Sequence, residues 1–178
     1  MNNVKTWTID PAHSEILFKV RHLMITNVKG EFRNFDAQIQ SNGDDFGEAK
    51  VQATIKTDSI FTNNNDRDQH LKSADFFDAA QHPEITFEGT AFEKLDAENY
   101  RLKGNLNMHG VAKEISLDVE FGGITKDPYG QTKAGFSFSG KLNRSDFNLT
   151  WNAALETGGV MVSEEVKVNG ELQFVLQA

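Results

Sequence analysis

Apolar and polar side chains alternate along most of the chain. Near its start, Ile16, Phe18 and Val20 share one phase, whereas Lys19 and Arg21 share the other. A period of two predicts a β-strand with one face turned to a core. The segments that alternate in this way are 16–22, 28–39, 51–55, 85–91, 100–108, 115–121, 134–142 and 166–176. They predict about eight strands, with one phase change near Asn34 that a β-bulge would explain.

The length of these strands favours a closed sheet. Several segments run for nine or more residues, which is about 30 Å of strand at roughly 3.3 Å per residue. An open sheet would leave such strands as long exposed edges, and closure removes them. We therefore predict an all-β fold, an eight-stranded antiparallel barrel in one domain over residues 1–178. Barrels of this size are either filled by side chains or hold one small ligand.

One polar segment, residues 63–79, interrupts the alternation. Asparagine and aspartate at its start suit helix caps, so one or two short helices are expected. Arg67 and His70 lie three residues apart and share a helix face, as do Asp68 and Lys72 four residues apart. Two interpretations stay open: the charges hold an oxygen-rich or phosphate head group at a barrel mouth, or they anchor the helix. Arg144 and Asp146 carry the same ambiguity, since they can also form an ion pair with each other.

The aromatic residues are nearly all phenylalanine. The chain has 14 Phe against 2 Tyr and 2 Trp, so its aromatic surface is purely apolar and suits a dry interior. Phe76 and Phe77 are adjacent, and one or both would plug the barrel or line its entrance. From composition alone a filled core is favoured over an occupied one.

Charge and motifs exclude several functions. A net charge of −8 does not suit a nucleic-acid groove, which needs clustered Lys and Arg, and the apolar runs are too short for a membrane span. There is no cysteine, and the five histidines are scattered without metal-ligand spacing. The usual catalytic motifs are missing. We expect a non-enzymatic protein without cofactor or metal. Because no secretion signal is visible we expect it to be cytoplasmic, whereas a chain whose signal had been removed would be periplasmic.

Several ordered segments resemble one known family. They are Trp7–His22, Val28–Phe32, Asp58–Thr62, Arg67–Asp78, Pro83–Phe87, Gly104–Gly110, Asn143–Phe147 and Glu164–Val168. Together they resemble the YceI-like family of lipocalin-fold polyisoprenoid-binding proteins over nearly the whole chain. One departure is Asn148, which stands where many members have glycine after Asp-Phe.

The resemblance implies a lipocalin-like barrel that holds an isoprenoid quinone, a prenyl phosphate or a related amphiphile in its lumen for binding, storage or transport, and it suggests a homodimer. The lumen residues expected on this basis are Ile16, Phe18, Val20, Phe32, Ile55, Phe76, Phe77, Ile85, Phe87, Leu106, Met108, Phe136, Phe138 and Trp151. The residues expected at a polar mouth are His22, Arg67, Asp68, His70 and Arg144. The alternatives are an enzyme that acts on a lipid-like substrate through Arg67, Asp68 and His70, and a stress-related interaction protein whose barrel is only structural.

Overall fold

A computed structural model describes residues 3–156 and 159–178. Within these ranges the chain forms eleven β-strands, one α-helix and three 3-10 turns. The strands are β1 (Val4–Ile9), β2 (Ile16–His22), β3 (Thr26–Phe32), β4 (Phe35–Asn42), β5 (Asp45–Lys56), β6 (Ile60–Phe61), β7 (Glu84–Lys94), β8 (Asn99–Met108), β9 (Val111–Lys126), β10 (Thr132–Asn143) and β11 (Val162–Leu176). The helix is α1 (Asn65–Lys72), and the 3-10 turns are Pro11–His13, Thr57–Ser59 and Arg144–Phe147.

Eight strands close into an antiparallel barrel. Their order is β1-β4-β5-β7-β8-β9-β10-β11, and β11 pairs back to β1 through the register Trp7↔Leu176. The other half of β11 pairs with β2, through Val168↔Phe18, so that β1 and β2 act as one long interrupted strand beside β11. β3 continues this wall from β2, and β6 pairs with β3. The predicted eight-stranded antiparallel barrel is confirmed.

The carboxylate of Asp10 stabilises the turn that separates β1 from β2. Asp10 accepts hydrogen bonds from the Ala12 backbone N–H at 3.1 Å and the Lys133 Nζ at 3.0 Å, and its Oδ2 lies 2.8 Å from Nδ1 of His13. The hydrogen bonds to His13 and then to Lys133 hold the pKa of Asp10 below its ordinary value. Asp10 therefore connects the 3-10 turn at Pro11–His13 to β10.

One local expectation needs correction. The phase change near Asn34 is not a bulge, because β3 ends at Phe32 and β4 begins at Phe35. Residues 33 and 34 lie outside both strands, and the Asn34 carbonyl accepts a hydrogen bond from the Lys56 N–H at 2.9 Å. The polar segment forms one short α-helix, as expected, and the Asn64 side chain caps it by accepting from the Arg67 N–H at 3.0 Å. In the described ranges, no helix combines the length and apolar composition needed to cross a bilayer.

An aromatic plug closes one end of the barrel. We use this name for Trp7, Phe46, Phe92, Phe121 and Phe136, whose rings form a connected set with neighbouring centroids 5.1 to 6.5 Å apart. Trp7 and Phe46 have no exposed surface. Such burial is stable only if the indole N–H is paired, and Nε1 of Trp7 donates to the Ser41 hydroxyl at 2.9 Å. The interior is therefore solid at the end where β4 meets β5.

Candidate functional site

Between the aromatic plug and α1 the barrel contains a cavity of about 420 Å³. This volume lies within the range of small-molecule sites, roughly 300 to 1,000 Å³. Ten of the fourteen phenylalanines line it; the exceptions are Phe46, Phe61, Phe121 and Phe147. The barrel is thus filled at one end and hollow at the other. The two sequence-based alternatives, an interior filled by side chains and an interior that holds a small ligand, each describe one end of it.

All fourteen residues expected in the lumen lie on the cavity wall. They come from β2, β3, β5, β7, β8 and β10, from the turn after α1 (Phe76 and Phe77) and from the loop that holds Trp151. Further wall residues have the same alternating phase, such as Leu102, Val119 and Leu172. Others lie outside strands and have no periodic signal. They are Leu71, Leu149 and Met161.

Three glycines on the wall are covered by aromatic rings from neighbouring strands. We call these the aromatic–glycine pairs: Phe18 over Gly30, Phe87 over Gly104 and Phe138 over Gly170. A Cβ at Gly30 or Gly104 would lie 2.8 Å or less from ring carbons, and one at Gly170 would lie at most 3.0 Å from them. The rings occupy the space that a side chain would fill, so they lie against the wall and leave the centre of the barrel open. These three glycines therefore leave room inside the barrel.

Five polar side chains line the cavity in the described part of the chain, and they gather at the α1 end. They are His22, Thr62, Arg67, His70 and Arg144. His22 is the last residue of β2 and pairs with Val162, whose carbonyl accepts from Arg144. The cavity wall is therefore apolar except at its α1 end, where these side chains form a polar rim that we call the mouth.

Arg67 is fixed by Thr62. Its Nε donates to the Thr62 hydroxyl at 2.8 Å and its Nη2 to the Thr62 carbonyl at 2.5 Å. Thr62 in turn donates its backbone N–H to Asp68 at 2.8 Å, and its hydroxyl also donates to this carboxylate. Among the described residues, no carboxylate lies within ion-pair distance of Arg67. Arg67 therefore presents a positive charge to the cavity without a direct counter-ion.

Asp68 was expected at the mouth but is not part of the cavity wall. Its side chain is buried beneath α1 and accepts from both donors of Thr62. A buried carboxylate needs such hydrogen bonds, and here they fix the residue that orients Arg67. The i,i+4 contact between Asp68 and Lys72 that the spacing suggested is not formed. Asp68 is a positioning residue.

His70 lies between aromatic rings at the mouth. Its ring makes edge contacts with Phe76 and Trp151, each with centroids 5.0 Å apart. Its Nε2 lies 2.9 Å from Oδ2 of Asp75. His70 thus links the helix to the loop that carries Trp151, while one edge faces the cavity.

Arg144 is 3% exposed and uses its donors within the protein. It donates to the carbonyls of Leu149 at 2.7 Å, Ser163 at 2.8 Å, Trp151 at 2.9 Å and Val162 at 3.2 Å. Burial lowers its pKa, and the Glu164 carboxylate, 3.8 Å away, opposes that shift. The ion pair with Asp146 considered above is not formed, because Asp146 lies 3.4 Å from Lys113. Arg144 therefore fastens the Trp151 loop to β11.

The chain resembles proteins of known sequence and structure over almost its full length. The family model for the YceI-like domain matches residues 7–174. A UPF0312 protein from Staphylococcus aureus is 41% identical over 169 residues, covering 94% of this chain and 96% of the relative.

Two solved structures share the fold. The YCEI protein of Campylobacter jejuni has a TM-score of 0.75 at 38% identity, with 89% of this chain and 90% of that chain covered. A domain from Saccharophagus degradans, described as polyisoprenoid-binding, has a TM-score of 0.70 at 15% identity, with 96% and 98% covered, and shows the fold alone. The resemblance seen in the sequence is confirmed: the chain belongs to the YceI-like family.

Proposed function

We propose that this protein binds one long apolar amphiphile, such as an isoprenoid quinone or a prenyl phosphate, inside its barrel and carries or stores it. The observation on which this proposal rests is the cavity, whose wall, in the part of the chain that the structure describes, is apolar apart from five side chains gathered at the mouth. That arrangement complements a molecule with a hydrocarbon chain and one polar end. The polyisoprenoid-binding description of the Saccharophagus domain supports the same class of ligand.

Hydrophobic burial supplies the affinity. At about 0.8 kcal/mol per buried CH₂, one five-carbon isoprene unit contributes roughly 3 to 4 kcal/mol before ordering costs. A few units therefore suffice for tight binding. Because hydrophobic contacts are non-directional, the wall selects a chain by girth and length, and discrimination between head groups falls to the mouth.

Arg67 is the residue best placed to recognise a head group. Two of its guanidinium nitrogens are held by Thr62, and Nη1 makes no hydrogen bond to the described residues. Its charge at the edge of an apolar cavity favours an anionic or oxygen-rich group, since charge-assisted hydrogen bonds are stronger than neutral ones. Arg144 has its donors on carbonyls and acts by shaping the rim.

The proposal is tested by filling the cavity. Ala53 lies on the wall in β5, whereas Ala112 is exposed on β9. Ala53→Phe should weaken binding of a fluorescent polyene fatty acid at least tenfold. It should weaken binding of geranylgeranyl diphosphate, measured by displacement of that fatty acid, to the same extent. Ala112→Phe, the matched control, should bind like the wild type. Equal binding by both variants, or no binding by the wild type, would contradict the proposal.

The geometry favours binding over catalysis by Arg67, Asp68 and His70. Asp68 is engaged by Thr62, and His70 by Asp75. If the cluster were catalytic, His70→Ala would erase turnover of a prenyl or acyl ester while preserving fatty-acid uptake. We expect instead no turnover of such esters by the intact protein.

A further inference from the structure

The hairpin between β2 and β3 exposes large apolar side chains at its tip. Leu23, Met24 and Ile25 are 36%, 53% and 69% exposed, and nearby Val160 is 37% exposed. The Leu23 N–H donates to the Met161 carbonyl at 2.9 Å, which brings the two segments together. We call these four exposed residues the apolar tip. His22 and Met161 are its neighbours in sequence and line the cavity, so the tip stands beside the mouth.

The backbone of this tip is strained. Leu23 and Met24 have φ values of 53° and 65°, and the Ile25 N–H donates to the His22 carbonyl at 3.1 Å. Hairpin turns with two consecutive positive φ values strongly prefer asparagine and glycine. Leucine and methionine are unfavourable at these positions because their side chains disfavour a positive φ and because those apolar side chains are exposed to water. A feature that lowers stability in two ways points to a function that needs it.

Four lysines form a row across the outer face of the same wall. Consecutive strand pairings join Lys141 to Lys167, Lys167 to Lys19 and Lys19 to Lys29. Their neighbours along the strands, such as Phe18 and Val168, line the cavity, so the lysines lie on the outside. Of these four lysines, only Lys141 has a carboxylate of the described residues within ion-pair distance, that of Glu165 at 3.9 Å. We call this row the lysine ladder.

The ladder is unusual in a protein with a net charge of −8. Like charges directly opposite each other on adjacent strands are destabilising, and neighbouring strands are only about 4.8 Å apart. The four lysines therefore concentrate positive charge on one strip of an otherwise acidic surface. A molecule with this distribution turns the strip toward a negatively charged surface as it approaches.

We propose that the apolar tip and the lysine ladder together dock the protein on an anionic lipid bilayer with its mouth facing the membrane. Lys19 and Lys29 each lie four residues from the tip, about 13 Å along the strand. Apolar surfaces of peripheral proteins enter about 5 to 10 Å into the boundary between head groups and acyl chains. Insertion of the tip to that depth brings the lysines close to the lipid phosphates.

This docking rests on the proposed function and extends it. An isoprenoid chain that leaves the mouth of a docked barrel enters the bilayer without crossing water. The charge on the ladder selects anionic membranes, and the apolar tip distinguishes a lipid bilayer from an acidic protein, which the lysines alone would also attract.

Flotation with phosphatidylcholine vesicles containing one third phosphatidylglycerol, compared with pure phosphatidylcholine vesicles, tests the docking. The wild type should float with the anionic vesicles only. Lys19→Glu combined with Lys29→Glu should lower binding more than tenfold, since each lysine near such a surface contributes about fivefold. Lys94→Glu combined with Lys126→Glu, two exposed lysines at the plugged end of the barrel on β7 and β9, makes the same change in charge and should retain binding.

The tip is tested by changing its turn to the preferred residues. Leu23→Asn combined with Met24→Gly should lose vesicle binding while its melting temperature stays the same or rises, because the backbone strain is relieved. Leu95→Asp removes an apolar residue at the plugged end that is as exposed as Met24, and this variant should bind vesicles like the wild type. Wild-type binding by the Asn-Gly variant would overturn the proposal. Loss of vesicle binding in the lysine variant but not in the Asn-Gly variant would indicate a protein or polyanion partner, and this result would also overturn the proposal.

Fatty-acid uptake separates this proposal from the proposed function. The Asn-Gly variant keeps every residue of the cavity wall and should take up the fluorescent fatty acid in solution like the wild type. If the wild type takes up the fatty acid but never floats with anionic vesicles, the docking is wrong and the lipid-binding function stands. If it floats without any uptake, the lipid-binding function is wrong.

Discussion

Replacing Gly30 with alanine perturbs the cavity wall at a defined point. A Cβ at Gly30 would lie 2.8 Å from both Cε atoms of the Phe18 ring and closer still to its Cζ, which is shorter than real Cβ contacts. β2 and β3 pair at this point, so the backbones stay in place. The ring has to leave the wall, and the open direction is the centre of the cavity.

The expected cost follows from these contacts. Overpacking of a well-packed site destabilises by about 1 to 3 kcal/mol, and the lower chain entropy of alanine in the unfolded state returns about 0.4 to 1 kcal/mol. We expect Gly30→Ala to lower the free energy of unfolding by roughly 1 to 2 kcal/mol. That corresponds to a melting temperature roughly 2 to 8 °C lower for a chain of this size. A displaced ring that excludes two ligand methylenes weakens binding by about tenfold.

Urea unfolding and titration with the fluorescent fatty acid measure the two effects. Gly135→Ala is the matched control, because a Cβ there meets no atom within 4 Å; it should leave binding unchanged and stability equal or slightly higher. If Gly30→Ala were as stable as Gly135→Ala and bound the fatty acid equally well, the aromatic–glycine pairs would not shape the cavity.

Three further outcomes are expected. Arg144→Met should lower the free energy of unfolding by about 3 to 5 kcal/mol, measured in urea, because the carbonyls of Leu149, Ser163 and Trp151 lose their guanidinium donor while that of Val162 keeps the Asn152 amide; a loss under 1 kcal/mol would show that water replaces the guanidinium. Asn148 has φ 58°, so Asn148→Gly should be neutral in thermal melts and Asn148→Val destabilising by about 1 to 2 kcal/mol. Asp10 has a lowered pKa, so it stabilises the fold above the ordinary aspartate pKa, and this contribution is lost as pH falls through the lowered value. Melting-temperature differences between wild type and Asp10→Asn should therefore shrink below about pH 4, and a constant difference would contradict the assignment.

The barrel was predictable because inward and outward side chains alternate on every long strand. β1 was missed for a physical reason. Asp10 and Pro11 break the pattern after Ile9, and only the pairing with β11 shows that β1 and β2 continue one wall. The departure from the family at Asn148 is also explained by the fold, since this position needs a left-handed backbone that glycine and asparagine both adopt.

The cavity was less predictable than the barrel. Phe46 in β5 and Phe87 in β7 are both buried inside the barrel, yet the first belongs to the aromatic plug and the second to the cavity wall. Closure of the sheet, which involves contacts distant in sequence, decides between these places. The mouth has the same limitation: both arginines line the cavity, and nothing local distinguishes Arg67, whose Nη1 makes no hydrogen bond to the described residues, from Arg144, whose donors bind carbonyls.

Extraction of the purified protein followed by mass spectrometry tests the central claim most directly. We expect protein isolated without detergent to carry about one isoprenoid or similar long-chain molecule per chain, and Ala53→Phe to carry much less than Ala112→Phe. Protein that carries no lipid and takes up none when incubated with prenyl phosphates or quinones would contradict the claim that the cavity is a binding site.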